Sequence, residues 1–179
     1  MFDPLVEGGY PPVAASLHSF TIAEGFRQEP DAAELHNGMA WSAGEELFYV
    51  AHSQAQSIYT FAYSPAGRIA GRWLFAAIPA ELGLLDGAAI DIEGGYWCAL
   101  HGAGRLRRFR ADGTVDCEIA LTVSQPTMCA FGGGDLEVLY VTSATDKFRA
   151  ASRQREPHAG ALLSLRPGER GIPRSFIVR

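Results

Sequence analysis

Two short stretches of this chain carry side chains that could share a cation: Asn37 followed by Gly38, and Asp86 followed by Gly87. An amide oxygen and a carboxylate are hard donors of the kind that suits Ca2+ or Mg2+, and Zn2+ or Mn2+ also accept them. The two positions lie 49 residues apart, and Thr127 follows 41 residues after Asp86. Asn-Gly and Asp-Gly are also the commonest tight-turn dipeptides, so either one alone reads as a turn. The surroundings of the two sites decide between these readings.

Those surroundings repeat. In "NGMAWSAGEELFYVA", "DGAAIDIEGGYWCAL" and "TMCAFGGGDLEVLYVT" an alanine precedes a large apolar residue: Ala40-Trp41, Ala89-Ile90 and Ala130-Phe131. A glycine-bearing turn follows, then a strand centred on Tyr49, Trp97 or Tyr140. More short apolar runs complete each unit, separated by Gly, Pro, Asp and Ser. A period near forty with about four strands per unit predicts an all-β chain built as a β-propeller. In that fold the innermost strand of each blade runs along the central channel. Asn37, Asp86 and Thr127 then occupy one register and converge on a polar well. Thr127 either lines that well or bonds the backbone of the next blade. Trp41, Tyr49, Trp97 and Tyr140 read as packing between blades. The stretch 144–157 reads as a long surface loop with a helical turn.

Composition narrows the function classes. The 179 residues suffice for one domain, and the net charge of −5 argues against nucleic acid and anionic membranes as partners. The arginines of "RLRRFR", 105–110, read as the wet face of a strand. Cys98, Cys117 and Cys129 make no disulfide framework and no C-x-x-C pair, which fits buried thiols and a reducing cytoplasm. The N-terminal segment lacks the features of a signal peptide, and the apolar run 72–85 is broken by Pro79 and Glu81 and is too short to span a bilayer. The chain has no H-E-x-x-H and no G-x-S-x-G. "GGGDL", 132–135 with its flanking leucine, has no helix pattern after it and reads as a turn.

The segments "HNGMAWSAGEELFYVA", "GLLDGAAIDIEGGYWCAL", "GRLRRFRADG", "QPTMCAFGGGDLEVLYVTSA" and "GALLSLRPGERG" resemble, in order and spacing, the senescence marker protein, gluconolactonase and regucalcin family. The resemblance covers 16–179 and implies six-bladed propellers that bind a divalent metal in the channel and, in many members, hydrolyse sugar lactones. It implies metal ligation by Asn37 and Asp86, and it makes Asp86 the candidate general base. A carboxylate held by a cation is a weak base, so water activated by the cation is the alternative. His101 stands where family members often carry an aromatic; it reads as a solvent-exposed loop histidine, with the channel rim and substrate contact as the alternative.

The resemblance also sets an expectation for extent. Six blades of ~40–45 residues need about 250 residues. The chain therefore reads as a single partial propeller of about three and a half blades: the outer half of one blade with its preceding loop in 1–36, then full blades in 37–85, 86–125 and 126–179. Glu7 reads as part of that loop. The family's N-terminal glutamate ligand and its substrate-gripping arginine and asparagine have no match here. On this reading the chain has little turnover alone, and an exposed blade edge invites self-association. The alternative to a metal-dependent lactonase is a cation-binding or interaction module without turnover.

Overall fold

The computed structural model describes residues 14–173. Thirteen strands form four antiparallel sheets, and within each sheet the strands follow chain order. The first sheet pairs β1 (Ala15–Thr21) with β2 (Gly25–Ala33). The second contains β3 (His36–Trp41), β4 (Leu47–His52), β5 (Ser57–Tyr63) and β6 (Ile69–Ala77). The third contains β7 (Leu84–Ile90), β8 (Tyr96–His101), β9 (Arg105–Phe109) and β10 (Val115–Ala120). The fourth contains β11 (Pro126–Gly132), β12 (Val138–Ser143) and β13 (Leu163–Leu165). A helix, α1 (Ala150–Arg155), lies between β12 and β13, where the sequence suggests a loop with a helical turn. The fourth strand expected in the last blade and the N-terminal loop with Glu7 lie outside the described residues.

The first strand of each of the last three sheets is an edge strand, and β7 packs between β3 and β11. This is the fan of a propeller arc, with β3, β7 and β11 innermost. Strand periodicity explains how the fan is held. Successive side chains point to opposite faces of a strand. In β8, Tyr96, Cys98 and Leu100 join the core shared with the second sheet. Trp97 and Ala99 join the core shared with the fourth. In β4, Tyr49 and Ala51 face the third sheet, while Phe48 and Val50 pack towards Leu17 of the first. A strand covered on both sides reads as a continuous apolar run, as "YWCAL" and "FYVA" do. Outer strand β10 is half-exposed instead. Each large apolar side chain buried between sheets contributes about 1.5–3 kcal/mol.

Two expectations change here. Tyr49 and Trp97 are buried between sheets, but Trp41 and Tyr140 are 43% and 38% exposed. Trp41 packs within its own sheet on Phe48 and Tyr63. The arginines of β9 are not a wet face either, because Arg107 and Arg108 are buried. Arg107 pairs with Glu118 across β9 and β10. Arg108 reaches Asp91 at 2.7 Å, Asp116 at 2.6 Å and Glu93 at 2.9 Å. Asp91 is itself fully buried. Its Oδ1 accepts from the amides of Glu93 and Gly95, and its Oδ2 accepts from Trp97 Nε1 at 2.8 Å as well as from Arg108. Every one of these donors is satisfied by a short local contact, and the carboxylates hold the Arg108 guanidinium protonated, its pKa raised.

Candidate metal and substrate site

The pairing of the inner strands places the candidate residues. On β3, Asn37 pairs with Ala51 and Ala40 with Tyr49, so β3 carries one residue more than β4 between those pairs. On β7, Leu85 pairs with Leu100 and Ala88 with Cys98, again with one residue extra. On β11, Pro126 pairs with Ser143 and Met128 with Thr142, giving the same excess. Three β-bulges therefore fall within two residues of one register in three blades: at 38–39 in β3, directly after the paired Asn37, at 86–87 in β7, which includes Asp86, and at Thr127 in β11. A bulge breaks the alternation of the pleat and re-aims a side chain, which is why bulges gather beside active sites. The Asn-Gly and Asp-Gly pairs lie inside strands and are not hairpin turns.

The repeat alignment is borne out by the ladder beyond each bulge. Ala40 pairs with Tyr49, Ala89 with Trp97 and Ala130 with Tyr140.

The glycines lock neighbouring blades together. Gly38 has φ 55°, and a β-carbon there would strike the Tyr96 hydroxyl and sit 3.0 Å from the Asp86 carbonyl oxygen. A β-carbon on Gly87 would strike Met128 and sit 2.8 Å from the Thr127 carbonyl oxygen. The residue after each candidate thus abuts the backbone of the candidate in the next blade. Only glycine permits that approach.

Hydrogen bonds fix the orientation of Asn37. Ser53 Oγ donates its single proton to the Leu85 carbonyl at 2.5 Å. It can then only accept from Asn37, at 3.1 Å, so the atom of Asn37 that meets it is Nδ2. The amide oxygen Oδ1 is left for a ligand. The same chain of bonds ties β3 to the residue preceding Asp86. Tyr96 adds a second tie by donating to the Gly38 carbonyl at 2.7 Å.

Asp86 is half-buried. Burial pushes its carboxyl pKa up to about 6, opposed by a hydrogen bond from the Gly87 amide. A desolvated carboxylate of this kind gains from a bound cation. The donor types, one amide oxygen and one carboxylate, fit a hard divalent ion.

The other candidates differ from expectation. Thr127 Oγ1 meets Thr142 Oγ1 at 2.8 Å on the adjacent strand of its own sheet, not the next blade. His101 is not a solvent-exposed loop residue. It ends β8, pairs with Leu84 and is half-buried, and burial lowers its pKa while Asp146 opposes the shift. Ser53 and Tyr96 escaped the sequence reading. A tyrosine in a wholly buried strand was their one signal, since a buried hydroxyl needs a partner. A cavity of about 480 Å³ runs along the far halves of the inner strands, lined by Met39, Trp41, Ala88, Ile90 and Met128 among others. Its lining is mixed, with Ser42 and Glu45 among the apolar side chains, and it omits Asn37 and Asp86, so it is distinct from the end of the strands described above. Among the described residues, no helix is long and apolar enough to cross a membrane.

Comparison with known proteins agrees with this architecture. The family model described as "SMP-30/Gluconolactonase/LRE-like region" matches residues 11–145. Regucalcin of Oryctolagus cuniculus is 34% identical over 146 residues, which are 80% of this chain and 49% of the relative. The crystal structure of a calcium-binding protein, regucalcin, from Agrobacterium tumefaciens superposes with a TM-score of 0.81 at 23% identity, covering 89% of this chain and 54% of that one. A gluconolactonase from Xanthomonas campestris superposes with a TM-score of 0.61 at 24% identity, covering 79% and 43%. The chain spans about half the length of the curated relatives it matches. With its inner strands bulged in common register and its sheets fanned like theirs, the chain belongs to the SMP-30/gluconolactonase/LRE-like family.

Proposed function

We propose that this chain contributes Asn37 Oδ1 and the Asp86 carboxylate to a divalent-cation site serving the hydrolysis of a sugar lactone. The observation that carries the reading is the shared register beside a bulge in each inner strand. Two oxygen donors 49 residues apart stand at equivalent points of adjacent inner strands, with Gly38 against the Asp86 backbone. Membership of a family whose description includes gluconolactonase supports the lactone as the substrate class.

When bound, the cation would polarise the lactone carbonyl and offset the negative charge that grows on its oxygen. The residues of the chain set up that chemistry. Ser53 holds the Asn37 amide so that its oxygen points away from the Ser53 contact. Burial keeps water from solvating Asp86, which strengthens its pull on positive charge. The pKa of about 6 belongs to the cation-free carboxyl, and ligation would lower it, so Asp86 serves first as a ligand.

The test measures acid release from an aldonolactone with and without Ca2+, Mn2+ or Zn2+, alongside calorimetric cation binding. Asp86→Ala is expected to abolish the metal-dependent rate and to weaken cation binding more than about tenfold. A metal-dependent rate unchanged in Asp86→Ala would overturn the assignment. A second reading, cation binding without turnover, is favoured by the count of donors: two protein oxygens make a sparse cage. The same experiment separates the two readings, since cation binding lost in Asp86→Ala without acid release in the parent chain selects the second.

A further inference from the structure

A second group of metal-ligating side chains gathers where the first two sheets meet, one of them, His36, next to Asn37 in the chain. Asp31 comes from β2, His36 from β3 and His52 from β4, and their ligand atoms all lie within 4.8 Å of one another. The Asp31 side chain is fully buried. Both imidazoles aim Nε2 at the same carboxylate oxygen, Oδ2, at 2.8 Å for His52 and 3.2 Å for His36. The other oxygen, Oδ1, is buried with no hydrogen bond. Its nearest charge is Arg72 Nη1 at 3.6 Å, in a guanidinium stacked 3.9 Å from the Tyr59 ring centroid.

A purely structural carboxylate spreads its donors over both oxygens, as Asp91 does. Asp31 instead takes both imidazoles on one oxygen and leaves the other with no hydrogen bond, facing the Arg72 guanidinium at 3.6 Å. Such crowding is the arrangement expected when three ligand atoms surround one small centre. In a tetrahedral site with bonds of about 2.0–2.1 Å, neighbouring ligand atoms are about 3.3 Å apart. The 2.8 and 3.2 Å separations need only a few tenths of an ångström of opening. A cavity of about 320 Å³, bordered by His52, Glu34, Leu35 and Gln54, gives access from solvent and room for a non-protein fourth ligand.

We infer that Asp31, His36 and His52 form a second metal site, selective for a first-row transition-metal dication such as Zn2+ or Co2+. Two imidazoles and one carboxylate favour such ions over Ca2+ and Mg2+, which prefer all-oxygen ligands. On binding, each ring presents the Nε2 lone pair to the metal and carries its proton on Nδ1. Arg72 stays beside Oδ1 as an outer-sphere partner. Its positive charge weakens the site relative to a closed structural zinc centre. The occupant would staple the two-stranded sheet to the adjoining four-stranded one, which are also joined by Leu17 in the apolar core and by polar pairs such as Arg27 with the Gly67 carbonyl and Glu24 with Arg68.

The test titrates Co2+ into the full chain with Ca2+ in excess to occupy the oxygen site. One Co2+ should bind and give the strong visible bands of a low-coordinate nitrogen–oxygen site. His36→Gln and His52→Gln should each weaken that signal at least about tenfold, while Asp86→Ala leaves it in place. In the unaltered chain, Zn2+ should shift the ring resonances of two of the five histidines, a readout that does not depend on any variant folding. No Co2+ bands in the parent chain, bands that survive His36→Gln/His52→Gln, or Zn2+ shifts confined to other histidines would each overturn the site. Because Asp86→Ala is expected to spare it, failure here is distinct from failure of the lactonase reading.

Discussion

Asp86 and Asp91 stand five residues apart on one run of chain, and their surroundings are opposite. Asp91 is fully buried, and its oxygens take four donors: two backbone amides, the Trp97 indole and the Arg108 guanidinium. Asp86 is half-buried, burial works against its charge, and the Gly87 amide is what opposes that effect. One carboxylate is spent inside the protein and the other is left with attraction to spare. Saturation of the hydrogen-bonding capacity, more than burial, separates the structural acid from the one poised for a ligand.

The comparison can be broken most sharply at Asp91. Asp91→Ala strands the buried Trp97 indole N–H and the Nε–H of Arg108, whose other nitrogens keep Asp116 and Glu93, and should cost about 2–4 kcal/mol in urea unfolding. A cost below about 1 kcal/mol would mean that the network is ornamental and the contrast false. Next comes Tyr96→Phe, which removes the donor to the Gly38 carbonyl beside the site. We expect a loss of about 1–2 kcal/mol. Cation affinity should fall several-fold as the backbone carrying Asn37 loosens. Unchanged affinity with reduced stability would show that Tyr96 supports the fold alone.

The smallest effect has the opposite sign. The folded pKa of Asp86, about 6, exceeds the ordinary value of 3.8, so the folded state holds this proton more tightly than the unfolded chain. The contribution of Asp86 to stability should therefore decline as pH rises through that window and level off above it. In metal-free protein, Asp86→Asn should be more stable by about 1 kcal/mol near neutrality, after discounting for partial exposure, and equal to wild type below pH about 4. Thermal melts in chelator across pH decide this. A variant less stable than wild type at neutral pH would show Asp86 to be a structural acid after all.

Much of this contrast was legible in the sequence. The repeat from Ala40 to Tyr49, Ala89 to Trp97 and Ala130 to Tyr140 gave the blades and aligned Asn37 with Asp86, because local periodicity follows strand pairing. The bulges were not legible, since an extra residue shows itself only against a partner strand. Ser53 and Tyr96 were missed for a related reason. Their partners lie 32 and 58 residues away, and no spacing rule connects them. The arginines of β9 misled because alternation gives the side a residue faces, not whether another sheet or an acid covers that side. Asp31, His36 and His52 come from three strands, so no short motif announces them.

The common bulge has a consequence for how this architecture can change. At or directly after that point each inner strand breaks its alternation, and the ladder resumes beyond it. It acts as an interchangeable socket: asparagine in one blade, aspartate in the next and threonine in the third sit on the same backbone mount. Descent can therefore change the side chain presented there by swapping single residues, with the interlocked sheets left undisturbed.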